Sequence, residues 1–187
     1  MEEDEKPLVA PHIKNKHTDD LVDHYWGSIE YISNLIKASE LKAGLILSFY
    51  GILLNFIYQS LGTVLEHVDH HIGFYVLTGL WFASTIASVY YSIRCFIPRI
   101  EANYDKNIFF FGDVISSFGD IRQFSKLFYE ISLDEERLFD QLGQQIYVNS
   151  KIAAIKFKNI HRALQFLAAG LVLLLVLTIY YSAVRYF

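Results

Sequence analysis

The sequence predicts an all-α integral membrane protein: three transmembrane helices, N-terminus in and C-terminus out, with a cytoplasmic helical bundle. Three observations predict it. Residues 43–65, 70–93 and 163–184 carry no Asp, Glu, Lys or Arg. Each of these stretches exceeds the roughly 20 apolar residues that a helix needs to cross a hydrocarbon core of about 30 Å. The basic residues are one-sided: of 16 Lys and Arg, only Arg185 lies beyond the third stretch and none lies between the first two. Finally, no segment alternates with period two for long enough to make a strand.

The charge asymmetry sets the orientation. Cytoplasmic flanks of membrane proteins hold the excess of Lys and Arg, so the N-terminus and the long segment 94–162 are expected inside. The hydrophobic fraction of 53% fits the same class. The net charge of −4 owes much to the Met1-Glu-Glu-Asp-Glu start. That start lacks the positive n-region and small-residue cleavage site of a signal peptide, so the first span is expected to act as its own insertion signal. Cys95 is the single cysteine and excludes an internal disulfide framework. Its juxtamembrane position would also suit reversible lipidation.

Residues 1–17 hold Pro7, Pro11 and several charges without apolar periodicity, and read as a disordered tail. Thr18-Asp19-Asp20 reads as a helix start. Leu21, Val22, Tyr25, Ile29, Ile32, Leu35 and Ile36 then form one apolar stripe, so 18–42 is an amphipathic helix running without a breaker into the first span, 43–65. Its polar face is not basic, which favours packing on the bundle over lying on lipid. Residues 66–69 make a short outer turn. The second span, 70–93, ends at Arg94 and Arg99 with Pro98 as a stop. In the sensor region 94–162, Ile121, Phe124, Leu127, Phe128 and Ile131 are helical, and Ser132-Leu-Asp-Glu135 has capping-box spacing. From Leu138 the pattern continues to Arg162, which predicts one rod leading into the third span, 163–184, with 185–187 as an outer tail.

The first span has an uneven face. Gly44, Ser48, Gly51, Asn55, Gln59 and Gly62 recur at three or four. Small residues let transmembrane backbones approach closely, so the stripe packs on the other two helices or self-associates, with a wet path on oligomerisation. Ser84, Ser88 and Ser92 read as a packing seam in the second span, and the Leu-rich third span reads as a plain lipid-facing anchor. No full charge sits in mid-membrane, which disfavours a proton-coupled transporter. His67, His70 and His71 cluster with Glu66 and Asp69 at loose spacing that a hairpin turn explains without metal. There is no glycine-rich phosphate loop, HExxH or GxSxG, so neither an enzyme nor a cofactor is expected. Acidic residues such as Asp134, Glu135, Glu136 and Asp140 suit a helix N-terminus. Lys and Arg supply phosphate partners, while Tyr104, Phe109 and Phe111 supply rings for a base.

Three motifs in order carry a resemblance. Lys37-Ala-Ser-Glu40-Leu-Lys42-Ala-Gly44 leads into the first span, Asn107-Ile-Phe-Phe-Phe-Gly112 sits centrally, and Gln145-Ile-Tyr-Val-Asn149-Ser-Lys151-Ile-Ala-Ala-Ile-Lys156-Phe157 precedes the last span. Together they resemble the Pycsar transmembrane effector family from about Tyr25 to Val184, departing where Ser39-Glu40 replaces the frequent Ala-Asp. The resemblance implies a bacterial antiphage effector at the inner membrane; the stripe on the first span adds the expectation of a homo-oligomer, and no nucleic acid is expected as a partner. A partner cyclase would make cyclic CMP, cyclic UMP or a cyclic oligonucleotide. The effector would sense it and impair the membrane in an abortive response. Matching residues Lys42, Asn149, Lys151 and Lys156 are then candidate polar contacts, with Phe109 and Phe111 as rings. No separate cyclic-nucleotide domain is recognisable, so the helices themselves must form the site. Two readings from other classes stand beside this one: a ligand-independent, holin-like membrane toxin, and a structural membrane adaptor.

Overall fold

The computed structural model describes residues 16–67, 72–97 and 106–186. All regular structure among them is helical: α1 (Lys16–His67), α2 (Ile72–Phe96), α3 (Phe111–Ser116), α4 (Ile121–Leu133) and α5 (Glu135–Tyr186). α1, α2 and α5 are long and apolar enough to cross a membrane. α1 and α5 are 52 residues each, about 78 Å at 1.5 Å per residue. Each therefore runs from an apolar end into a charged end without a break. The single rod expected for α5 is present, because no proline interrupts it and Gly143 alone does not break a helix packed along its length.

Helix boundaries differ from the sequence expectation at two caps. α1 begins at Lys16, ahead of Thr18, whose hydroxyl instead donates to Glu135 Oε1 at 2.9 Å and ties the starts of α1 and α5 together. Ser132 is not a cap. It lies in the last turn of α4 and donates back to the Phe128 carbonyl at 2.7 Å, while Asp134 Oδ1 accepts from Arg137 N at 3.2 Å. The capping box forms at Asp120 instead, whose Oδ1 accepts from Arg122 N and Gln123 N at 2.9 and 2.8 Å. Gly119 precedes it with φ +77, a left-handed turn that side chains avoid.

α5 is central and packs along both α1 and α2. The third span is accordingly more than an anchor: Gly170 lies against Ser84, and Leu177 is buried between helices. The core cluster of Ala43, Ile46, Tyr50, Cys95, Ile160 and Ala163 sits where all three long helices pass from charged to apolar sequence. Beyond it the outward face is hydrocarbon, with Leu45, Ile52, Phe56, Ile86, Leu175 and Ile179 at 61–66% exposed, as lipid contact requires. At the charged end Tyr25 packs on Phe139 with ring centroids 5.2 Å apart, so the amphipathic part of α1 docks on its own protomer. The side chains of Glu66, Asp69, His67, His70, His71 and Tyr104 lie outside the described residues.

Candidate functional site

The core cluster adjoins a buried cation. Lys156 is 4% exposed, and a charge withdrawn from water is tolerated only with close partners. Its Nζ donates to Glu40 Oε1 at 2.8 Å and to the Cys95 carbonyl at 2.6 Å. α2 ends at Phe96, which leaves its last carbonyls without helical donors. α5 supplies those donors: Lys156 reaches Cys95, and Asn159 Nδ2 reaches the Arg94 carbonyl at 3.3 Å. The Cys95 thiol returns a weak bond to the Lys156 carbonyl at 3.8 Å. One ammonium thus joins α1, α2 and α5 at the boundary between charged and apolar ends. Cys95 is fully buried here, which leaves no access for lipidation.

The serine seam continues this junction into the apolar region. Ser88 Oγ donates to the Ala163 carbonyl and Ser84 Oγ to the Phe166 carbonyl, both at 2.8 Å, while Ser92 bonds back to Ser88 at 2.9 Å. Tyr91 stacks on Phe166 with planes 6° apart. This is a packing seam between α2 and α5. Toward the far end, α1 leaves a cavity of about 550 Å³ lined by residues such as Phe56, Phe74, Trp81 and Leu177. Its surface is mostly hydrocarbon with hydroxyls from residues such as Thr78 and Ser182 and no charged side chain, which suits acyl chains better than a phosphate.

At the charged end, the Asn107–Gly112 motif is a clamp. Asn107 Nδ2 donates to the Gln141 carbonyl at 2.7 Å, and Gln141 Oε1 accepts from Ile108 N at 3.0 Å. Asp113 Oδ2 accepts from Asn107 N at 2.9 Å. Phe109 is held edge-on between Trp26 and Phe128, at 5.5 and 5.9 Å, so its ring is occupied by packing. Phe111, by contrast, is 79% exposed.

The structure does not gather the six sequence candidates into one pocket. Lys156 is engaged in the junction. Lys42 and Lys151 are exposed, and Asn149 Oδ1 accepts from Gln145 Nε2 at 3.4 Å. Lys42 lies 16 residues along α1 from Trp26, the depth of the clamp, which is about 24 Å. Lys42 and Phe111 therefore cannot hold one mononucleotide within a single protomer. Sequence reasoning missed Gln145 and Glu40 as partners, although both stood in the quoted motifs. Gln145 is buried, and its Oε1 has no partner among the described residues. Two surface recesses remain at this end, one beside Asp23, His24 and Tyr31, the other on α4 beside Arg122, Ser125 and Lys126. Neither is lined by any of the six.

The first-span stripe faces away from the protomer. Ser48, Gly51, Asn55, Gln59 and Gly62 are exposed, and only Gly44 approaches another helix, 3.8 Å from Phe96 by its Cβ position. Packing on the other two helices is thus not what these residues do.

Comparison with known families places residues 24–183 in the Pycsar effector protein domain, PycTM. The chain belongs to this family. It is similar to the Pycsar effector protein SaPycTM of Staphylococcus aureus, with 27% identity over 140 residues, which cover 75% of this chain and 83% of the relative. No solved structure matches. The PycTM match begins at His24 and takes in all three apolar spans, the clamp, Glu40 and Lys156. This chain is therefore a Pycsar effector, of the antiviral defence class, with three helices long and apolar enough to span a membrane.

Proposed function

We propose that this PycTM protein is a ligand-gated membrane effector. Its charged helical end lies in the cytoplasm of a bacterial cell and senses a cyclic nucleotide, cyclic CMP or cyclic UMP, made by a partner cyclase. The apolar spans lie in the inner membrane and, as a homo-oligomer, impair it to end the infection. The output is mechanical and no catalysis is involved. Exposed Lys42 and Lys151, with Asn149, are the polar contacts, and Phe111 is the exposed ring, with one side against Phe110. Copies inserted in one orientation keep Lys42 and Phe111 about 24 Å apart in depth, so the lysines with Asn149 and the ring serve separate contacts rather than one mononucleotide.

The observation that carries this reading is the Lys156 junction. α1, α2 and α5 meet on one ammonium at the level where charged sequence gives way to apolar sequence. A ligand shifts an equilibrium only by its differential affinity for two states, typically about 1–3 kcal/mol of coupling. A change in packing at the charged end reaches all three spans through that junction and the two continuous rods.

The test pairs binding with output. Labelled cyclic CMP, cyclic UMP and a panel of cyclic dinucleotides are titrated onto detergent-purified protein. The same protein is expressed in growing bacteria with and without a cyclase while membrane potential is followed. Saturable binding with cyclase-dependent depolarisation is expected. Toxicity without any cyclase would support the holin-like toxin. Absence of both binding and depolarisation would support the adaptor.

A further inference from the structure

The four glycines of α1 lie on one line, and three of them are exposed. Gly27, Gly44, Gly51 and Gly62 fall on a run from Asp23 in which steps of four and three alternate without interruption. A mid-helix glycine costs roughly 0.5–1 kcal/mol against alanine. In the protomer, a Cβ added at Gly27, Gly51 or Gly62 would meet nothing. No contact inside the protomer explains these three, while an alternating spacing of four and three is the seam along which helices pack on one another.

A second surface is equally unpartnered. Phe111 and Ile115 in α3 and Ile121 at the start of α4 are 79%, 83% and 84% exposed. Their anchor on α5, Gln141, lies 21 residues before Arg162, about 30 Å from the apolar boundary. With the spans in a bilayer, this patch is in water, where large exposed apolar groups mark a protein interface.

Charge identifies the partner. Beside the patch, the outer face of α4 carries Arg122 and Lys126, followed by Glu130 at 3.7 Å from Lys126, while the exposed line of α1 carries Asp23 and Glu30, followed by Lys37. The two faces share one depth, because Phe128 of α4 reaches Phe109, which reaches Trp26 of α1. Copies of one chain inserted in the same orientation bring equal depths together. Symmetric pairing of α1 on α1 would oppose acid to acid, which is unfavourable.

We propose that a second copy of this chain docks head-to-tail, the Asp23–Glu30 face of α1 against the Arg122–Lys126 face of the neighbour's α4. Repeated around an axis, such contacts close into a ring. The same line on α1 carries Ser48, Gly51 and Asn55 into the membrane part of the interface. Assembly precedes the signal, and the nucleotide changes the packing of an existing ring. This rests on the membrane orientation proposed above.

Cysteine cross-linking tests it in membranes of cells that lack any cyclase. Asp23→Cys and Arg122→Cys are placed on separately tagged copies, with Cys95→Ala in both. A mixed cross-link between the tags is expected, with none between two Asp23→Cys copies. A same-residue product alone, or no product at all, overturns the head-to-tail arrangement. If Cys95→Ala impairs folding, charge exchange in the native-cysteine protein gives the second readout. Arg122→Glu with Lys126→Glu is expected to lower the subunit count from single-molecule bleaching, and adding Asp23→Lys with Glu30→Lys to restore it. Failure to restore it overturns the charge pairing. Failure of the cyclase-dependent depolarisation would leave these results standing, so the two readings fail separately.

Discussion

Lys156 shows how much one side chain does and how little of it the sequence revealed. Its spacing from Asn149 placed both on one face of α5, but a lysine among apolar neighbours reads alike as snorkelling, ligand-binding or buried. Its partner Glu40 is 116 residues away. The carboxylate keeps 38% side-chain exposure while the ammonium keeps 5%, so the two sides of the pair are unequal. Lys156→Met preserves the stem but strands the Cys95 carbonyl and leaves Glu40 to water. The expected loss is about 3 kcal/mol, at the lower end for a broken buried pair because Glu40 can hydrate. Glu40→Gln keeps an acceptor but strips the counter-charge from an ammonium that cannot hydrate, and should cost more, about 3–5 kcal/mol. Thermal unfolding in detergent measures both, and the double variant should lose less than the sum because the residues act as one unit. A Glu40→Gln loss no larger than that of Lys156→Met would mean that the carboxylate charge is not what holds the ammonium in place.

At the scale of elements, helix identity was legible and helix facing was not. Uncharged length is a strong signal for a span, and the absence of proline foretold the long rods. Which side of a span packs is harder to read, because lipid tails are as apolar as a helix neighbour. The α2 serines could be read as a seam because hydroxyls seek carbonyls, and Ser84 and Ser88 find them on α5. The α1 stripe carried the same kind of signal yet points outward. Caps were misplaced for a local reason: Ser132 satisfied a spacing rule, but its backbone still had helical partners, so its hydroxyl turned back to Phe128. The outward stripe makes a prediction of its own. Asn55→Leu removes the amide from an exposed position and leaves protomer packing intact, so expression and unfolding temperature should hold. Cyclase-dependent depolarisation should fall, and the subunit count should change. Unchanged depolarisation together with an unchanged subunit count would remove the stripe from the mechanism.

The whole molecule is a pair of rods held at one level. The charged end is fastened by the Thr18–Glu135 contact and the Asn107 clamp, and the apolar end by the serine seam, with the Lys156 junction between them. A signal arising at the charged end must pass that level through α1 or α5. Ala154 is exposed on α5, close to the junction on its charged side. Ala154→Pro deletes the bond from its N–H to the Ser150 carbonyl and crowds that carbonyl, at about 3 kcal/mol for a helix interior. The clamp at Gln141 and the seam at Ala163 lie several turns away on either side, so each end should keep its own packing. The expected phenotype is a broken response: membrane insertion persists and depolarisation on cyclase expression is lost, with nucleotide binding weakened because Asn149 and Lys151 lie within two turns of the kink. Ala154→Gly, which leaves the bond in place, should retain most of the response. If the proline variant depolarises as the parent does, α5 is not the element that carries the signal, and the continuous α1 becomes the remaining route.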